Sequence, residues 1–94
     1  YSSCALLSNG TARCWGYNNY GQLGDGTTTN RSTPVPVLEL ANATHIADTL
    51  GYYSCAGRTD NLPMCWGYNI SGQLGDGTTT NRSVPTFILW NNSL

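Results

Sequence analysis

One stretch constrains this chain more than any other. Residues 14–32, CWGYNNYGQLGDGTTTNRS, return 51 positions later as residues 65–83, CWGYNISGQLGDGTTTNRS. Only Asn19/Ile70 and Tyr20/Ser71 differ across the 19 positions. A unit this short buries its apolar side by stacking on a neighbour, so the repeat is first an architectural feature. Within it, Gly16, Gly21, Gly24 and Gly26 alternate with Asn18 and Asp25. Glycine at that density precludes a helix or a long strand and predicts consecutive tight turns.

The flanking segments are strand-like. Residues 1–18 read as a β-hairpin, with two β-prone runs either side of Ser8-Asn9-Gly10. A three-residue loop with Gly10 left-handed pairs Leu7 with Thr11, Leu6 with Ala12, Ala5 with Arg13 and Cys4 with Cys14. A two-residue Asn-Gly loop would set Cys4 against Trp15 instead, on the other face. The three-residue loop is preferred because it puts both thiols on one side at bridging distance. Residues 31–40, RSTPVPVLEL, form an edge strand or extended approach, since Pro34 and Pro36 lack ladder donors. Residues 41–50 are expected to form an inner strand. Ile46, Ala47 and Leu50 also fit helical spacing, but no cap flanks them.

In the second copy the hairpin 57–64 carries Pro63 and is weaker, with Asn61 standing where Gly10 does. Residues 84–90, VPTFILW, are the matching outer strand, and the segment after them looks frayed. Cys4, Cys14, Cys55 and Cys65 fall in two pairs of equal separation. An even count at repeated spacing points to disulfides Cys4–Cys14 and Cys55–Cys65, each worth roughly 2–3 kcal/mol by the chain-entropy argument. In a reducing compartment the same residues would be small buried hydrophobes. Zinc is not expected, because close Cys-x(2–4)-Cys pairs are absent and His45 is the sole histidine.

Charge narrows the partners. Charged residues make up 10% of the chain, with four arginines, no lysine and a formal charge of −1. A phosphate backbone has nothing to dock on, so direct nucleic-acid binding is not expected, nor is an anionic membrane surface. No run reaches the apolar length of a membrane span. Six N-x-[ST] sequons, at Asn9, Asn30, Asn42, Asn69, Asn81 and Asn91, are candidate glycosylation acceptors. With the cysteines they agree with an extracellular or cell-surface location, a cytoplasmic one being the alternative.

Cys4-Ala5-Leu6-Leu7, Cys14-Trp15-Gly16-Tyr17-Asn18 and Gly21-Gln22-Leu23-Gly24-Asp25-Gly26 closely resemble the regulator of chromosome condensation repeat, a CAL…CWG.N..GQLGDG run followed by a proline-valine strand. The second copy carries the same signature at Trp66, Gly67, Asn69, Gly72, Gln73, Leu74 and Gly75. The resemblance implies an all-β fold of β-propeller blades: about two blades, a fragment of a six- or seven-bladed ring. Residues 1–50 are then the first repeat, a blade without its inner strand followed by the inner strand of the next. Residues 51–94 are the second. The chain departs from the family at Ser2 or Ser3 and at Tyr53, where a histidine is usual before the Ser-Cys step, and in the missing Asp-Gly turn of hairpin 57–64. Two repeats cannot close a ring, so the chain is expected to be part of a longer one, with adjacent repeats or self-association covering its flanks.

Chemistry is harder to find. The Gly-rich loops 21–27 and 72–78 lack the lysine and the helix of a phosphate loop. Asp25 and Asp76, with Thr27 and Thr78, supply too few oxygens for calcium. His45 has no repeated nucleophile partner, and Asp25 and Asp76 occupy equivalent places on different copies rather than one cleft. No catalytic residue, cofactor or metal is therefore expected. Trp15, Trp66, Tyr17 and Tyr68 read as packing between blades, with a stacking surface for sugar or protein as the alternative. Trp90, unpaired in the first copy, would mark a blade face.

These readings favour a non-catalytic protein–protein interaction scaffold with an unknown protein partner. By analogy with the family's namesake, the rival is a guanine-nucleotide exchange regulator of a small GTPase. An extracellular glycan-binding module is the third reading.

Overall fold

The computed structural model describes residues 2–49, 52–60, 62–72 and 74–88. Seven strands carry them: β1 (Ser2–Leu6), β2 (Ala12–Gly16), β3 (Arg31–Pro36), β4 (Ala43–Thr49), β5 (Tyr53–Arg58), β6 (Met64–Gly67) and β7 (Arg82–Phe87). They form two antiparallel sheets, β1-β2-β3 and β4-β5-β6-β7, each a simple meander. Residues 43–49 are therefore strand, joined to the second sheet through β5. Among the described residues no helix is long and apolar enough to cross a membrane. Leu50, Asn61, Gln73, Trp90 and Asn91 lie outside the described residues, and so does the expected substitution of Asn61 for Gly10.

Local chemistry sets the first hairpin. Leu7 N donates to Thr11 O at 2.8 Å, Gly10 N donates to Leu7 O at 3.1 Å, and Gly10 sits at φ 84°. Asn9 Oδ1 ties the loop by accepting from the Thr11 amide at 3.1 Å and the Thr11 hydroxyl at 2.6 Å. This three-residue loop sets Cys4 opposite Cys14, and the sulfurs are bonded across a Cα separation of 4.1 Å. Cys55 and Cys65 do the same on β5 and β6 at 4.0 Å. Beyond β5, Asp60 accepts from Leu62 N at 3.0 Å and pairs with Arg58 at 3.0 Å.

The proline-bearing strands β3 and β7 are the outer strands of their sheets, where a missing amide costs no ladder bond. Each pairing with its inner neighbour slips once, between Cys14 and Gly16 and between Cys65 and Gly67. A bulge re-aims the side chain it carries, and here it carries Trp15 and Trp66. The sheets meet along β1 and β4. Ala43 N donates to Gly10 O at 3.0 Å, and a Cβ on Gly10 would come within 2.9 Å of Asn42 N, so the hairpin tip lies directly on the following sheet. The core runs between the sheets, with Leu23, Val37 and Leu40 from the first copy meeting Ala56, Met64 and Trp66 from the second.

Candidate functional site

The loops after β2 and β6 are the repeated signature, and each is built around a buried asparagine. Asn18 Nδ2 donates to Thr27 O at 3.0 Å and Thr29 O at 2.9 Å, and its Oδ1 accepts from Leu23 N at 2.9 Å. Asn69 repeats this with Thr78 O at 3.1 Å, Thr80 O at 3.0 Å and Leu74 N at 2.9 Å. One side chain thus replaces the strand ladder for a loop of a dozen residues. The amides of Asn18 and Asn69 donate in turn to Asn30 Oδ1 and Asn81 Oδ1, both at 2.8 Å.

Asp25 and Asp76 lock the same loops. Asp25 accepts from the Thr27 amide at 3.0 Å and hydroxyl at 2.7 Å and pairs with Arg31 Nε at 3.0 Å. Asp76 matches it with Thr78 at 3.0 and 2.7 Å and Arg82 at 2.8 Å. Burial pushes both carboxyls up, but the hydrogen bonds outweigh it. The threonine contacts, the arginine and the asparagine hold Asp25 and Asp76 below the ordinary carboxylate range. Both acids stay ionised at neutral pH, and their hydrogen bonds and ion pairs hold the turn.

The signature glycines and Trp66 join the copies. Trp66 is fully buried, and its indole Nε1 donates to Gln22 O at 2.8 Å. Gly26 N donates to Ser83 O at 2.8 Å. A Cβ on Gly21 would lie 2.6 Å from Ser83 Cα, and one on Gly24 would lie 3.0 Å from the Trp66 indole. The loop of the first copy is therefore seated on the second sheet. Gln22 and Leu23 are buried with it, whereas Trp15 is half-buried. Gly16 and Gly67 take φ 109° and 110° in the bulges, and a Cβ on Gly67 would meet Tyr52 O at 2.7 Å.

Of the glycosylation candidates, Asn9, Asn30 and Asn42 are exposed and Asn81 is half-buried. Asn69 is a correction: its side chain is fully buried and its Nδ2 is committed to the loop, so no glycan can be attached to it in the folded chain. His45 lies on β4, its ring over Gly57. Among the described residues no group of three or more His, Cys, Asp or Glu is placed to hold a metal.

One cluster escaped the sequence reading. Tyr20, Tyr52 and Tyr68 line a cavity of about 260 Å³ between the two copies. Tyr20 and Tyr68 meet edge to face at a centroid distance of 4.7 Å, and Tyr52 lies 6.2 Å from each. Tyr17 packs its edge on Tyr20 at 6.1 Å. The three lining residues sit in the connections after β2, between β4 and β5, and after β6, and Tyr68 N donates to Tyr52 O at 2.9 Å. A signal was available, because Tyr20 is one of only two positions at which the 19-residue copies differ.

Comparison with known proteins follows the same lines. The family model described as "Regulator of chromosome condensation (RCC1) repeat" matches residues 9–55 and 65–93. The ultraviolet-B receptor UVR8 of Arabidopsis thaliana is 32% identical over 85 residues, covering 89% of this chain and 19% of the receptor. The mitochondrial RCC1 domain-containing protein RUG3 of the same plant is 36% identical over 90 residues, covering 94% of this chain and 20% of that protein. The human E3 ubiquitin-protein ligase HERC2 is 36% identical over 87 residues, covering 92% and 2%. Among solved structures, Prp20p from Saccharomyces cerevisiae superposes with a TM-score of 0.81 at 17% identity, over 99% of this chain and 24% of that one. That structure was described with its binding to Gsp1p and histones. The chain thus spans a quarter or less of each of these proteins, and the two sheets are blades of a β-propeller.

Proposed function

Because the chain belongs to the regulator of chromosome condensation repeat family, we propose that it is a non-catalytic protein–protein interaction scaffold, two blades of a longer propeller whose loops present a binding surface. One observation carries this reading: the polar side chains that the repeat places together are spent on holding the blades. Asn18, Asn69, Asp25 and Asp76 close their own loops, and Trp66 is bonded to Gln22 of the preceding blade. Large apolar side chains, Tyr52, Leu62 and Ile70 among them, are exposed between the polar ones, and such side chains suit a docking surface.

Exchange of guanine nucleotide on a small GTPase is the competing activity, and a likeness of fold does not transfer it. A nucleotide-release assay with fluorescent GDP loaded on small GTPases separates the two. The scaffold reading expects release at the intrinsic rate, and acceleration overturns it. The two cystines fit an oxidising compartment, and an extracellular or cell-surface location is proposed with them. Alkylation of the natively expressed protein without reductant should leave all four cysteines unmodified, and four adducts would reject that location.

A further inference from the structure

We propose that the 94-residue chain binds a second copy of itself head to tail, with loop 69–80 of one copy seated on Trp15 and Ser32 of the next. The inference rests on the contact between the two blades and not on the scaffold reading. That contact has a donor side and an acceptor side. Loop 18–29 is the donor and lies on the second blade. Trp66 Nε1 donates to Gln22 O at 2.8 Å, and Gly26 N donates to Ser83 O at 2.8 Å. The fit is close at Gly21, where a Cβ would lie 2.6 Å from Ser83 Cα.

Both sides of the contact are repeated, and the repeats are open. A shift of 51 positions carries the donor onto residues 69–80 and the acceptor onto Trp15 and Ser32. The second loop holds the donor conformation. Asn69 and Asp76 close it through the same bonds as Asn18 and Asp25, and Gly72 takes φ 75° where Gly21 takes 80°. Gly72 and Gly75 are exposed, whereas their counterparts Gly21 and Gly24 are buried. On the acceptor side Trp15 is half-buried and Pro34 exposed, whereas their counterparts Trp66 and Pro85 are buried. A donor loop faces the blade that follows it and an acceptor faces the blade before. The open pair therefore lies on opposite flanks, where one chain cannot join its own two halves. A second copy can, in a heterologous contact that closes as a ring or runs on as a filament. Adjacent repeats of a longer chain would take the same two places.

The junction between chains differs from the one within a chain at a single ring pair. Tyr20 of the donor loop meets Tyr68 of the second blade edge to face, with centroids 4.7 Å apart. Under the same shift Ser71 stands for Tyr20 and Tyr17 for Tyr68. The contact between chains keeps the seat of the loop and lacks this aromatic pair. It is the weaker of the two by the roughly two- to ten-fold that such a pair contributes.

Sedimentation velocity over a concentration series tests this on the wild-type chain and three variants. The wild type is expected to pass from monomer to larger species as its concentration rises. Ser32→Arg blocks the acceptor, and Gly72→Asn blocks the donor with a residue that tolerates positive φ. Each should weaken association about ten-fold or more, as crowding a fitted contact does. Ser32 and Gly72 are exposed, so both variants should keep the wild-type circular dichroism. Mixed in equal amounts they should form a dimer, because each supplies the half that the other lacks. Ser71→Tyr should tighten association roughly two- to ten-fold by restoring the ring that faces Tyr17, a gain that no loss of folding can imitate. A wild type that stays monomeric throughout overturns the proposal. So does association that either blocking variant leaves intact, or a mixture of the two that remains monomeric. The scaffold reading fails separately, through accelerated nucleotide release, whatever the oligomeric state.

Discussion

The two copies of the signature loop have nearly the same sequence and different surroundings. Inside each loop the structure is the same: Asn18 and Asn69 bond the same four partners, and Asp25 and Asp76 pair with Arg31 and Arg82. Outside, they diverge. The first loop is seated on the second blade through Gly21, Gly24 and Gly26, while a Cβ on Gly72 would meet nothing within 4 Å. The tryptophans show the converse, since Trp66 receives that loop and is buried and Trp15 is half-buried. Loop conformation is thus a local property, and burial of the signature tryptophan depends on the preceding blade.

The largest test of this contrast is at the tryptophans. Trp66→Ala should destabilise the chain by about 3–5 kcal/mol, the cost of emptying a packed aromatic site, whereas Trp15→Ala should cost roughly half that or less. Denaturant unfolding of both variants measures the difference, and equal losses would show that the first blade's tryptophan is already covered.

The glycines come next. Gly21 and Gly72 both take positive φ, 80° and 75°, so either alanine carries roughly 1–2 kcal/mol of backbone strain. Gly21→Ala must also push its methyl into Ser83, adding about 1–3 kcal/mol of overpacking. Melting curves that coincide for the two variants would mean that the loop does not bear on the neighbouring blade.

The smallest effect is acidic, and it should be shared. Both aspartates titrate below the ordinary value of 3.8 in the folded chain. Their contribution is therefore complete above that value and is lost as the pH falls through the folded ones. The melting temperature should drop below about pH 4, and the Asp25→Asn/Asp76→Asn double variant should show a shallower acid slope. Parallel slopes would remove these carboxylates from the acid response.

Much of this was legible in order along the chain. The register of the first hairpin followed from Ser8-Asn9-Gly10, because a turn type is decided within a few residues and carries the cysteines with it. The edge placement of β3 followed from Pro34 and Pro36 for an equally local reason, and that of β7 from its match to β3 in the repeat. The anchoring of the signature loops by Asn18 and Asn69 was not, although both were marked as signature residues. A side chain's four partners are spread over a dozen positions, and composition does not rank them. Tyr20 and Tyr52 were passed over because a cavity is made by which blade ends meet, a fact with no periodicity to read.

The amino-acid sequence by itself determined the register of the first hairpin, the cystine pairing and the existence of two like copies, since each rests on contacts between near neighbours or on near-exact repetition. Only the tertiary structure decided which tryptophan is buried, which glycine must be glycine for lack of room, and where three tyrosines converge. Those depend on surfaces brought together from positions as far apart as Gln22 and Trp66, 44 residues distant, whose meeting no local propensity encodes.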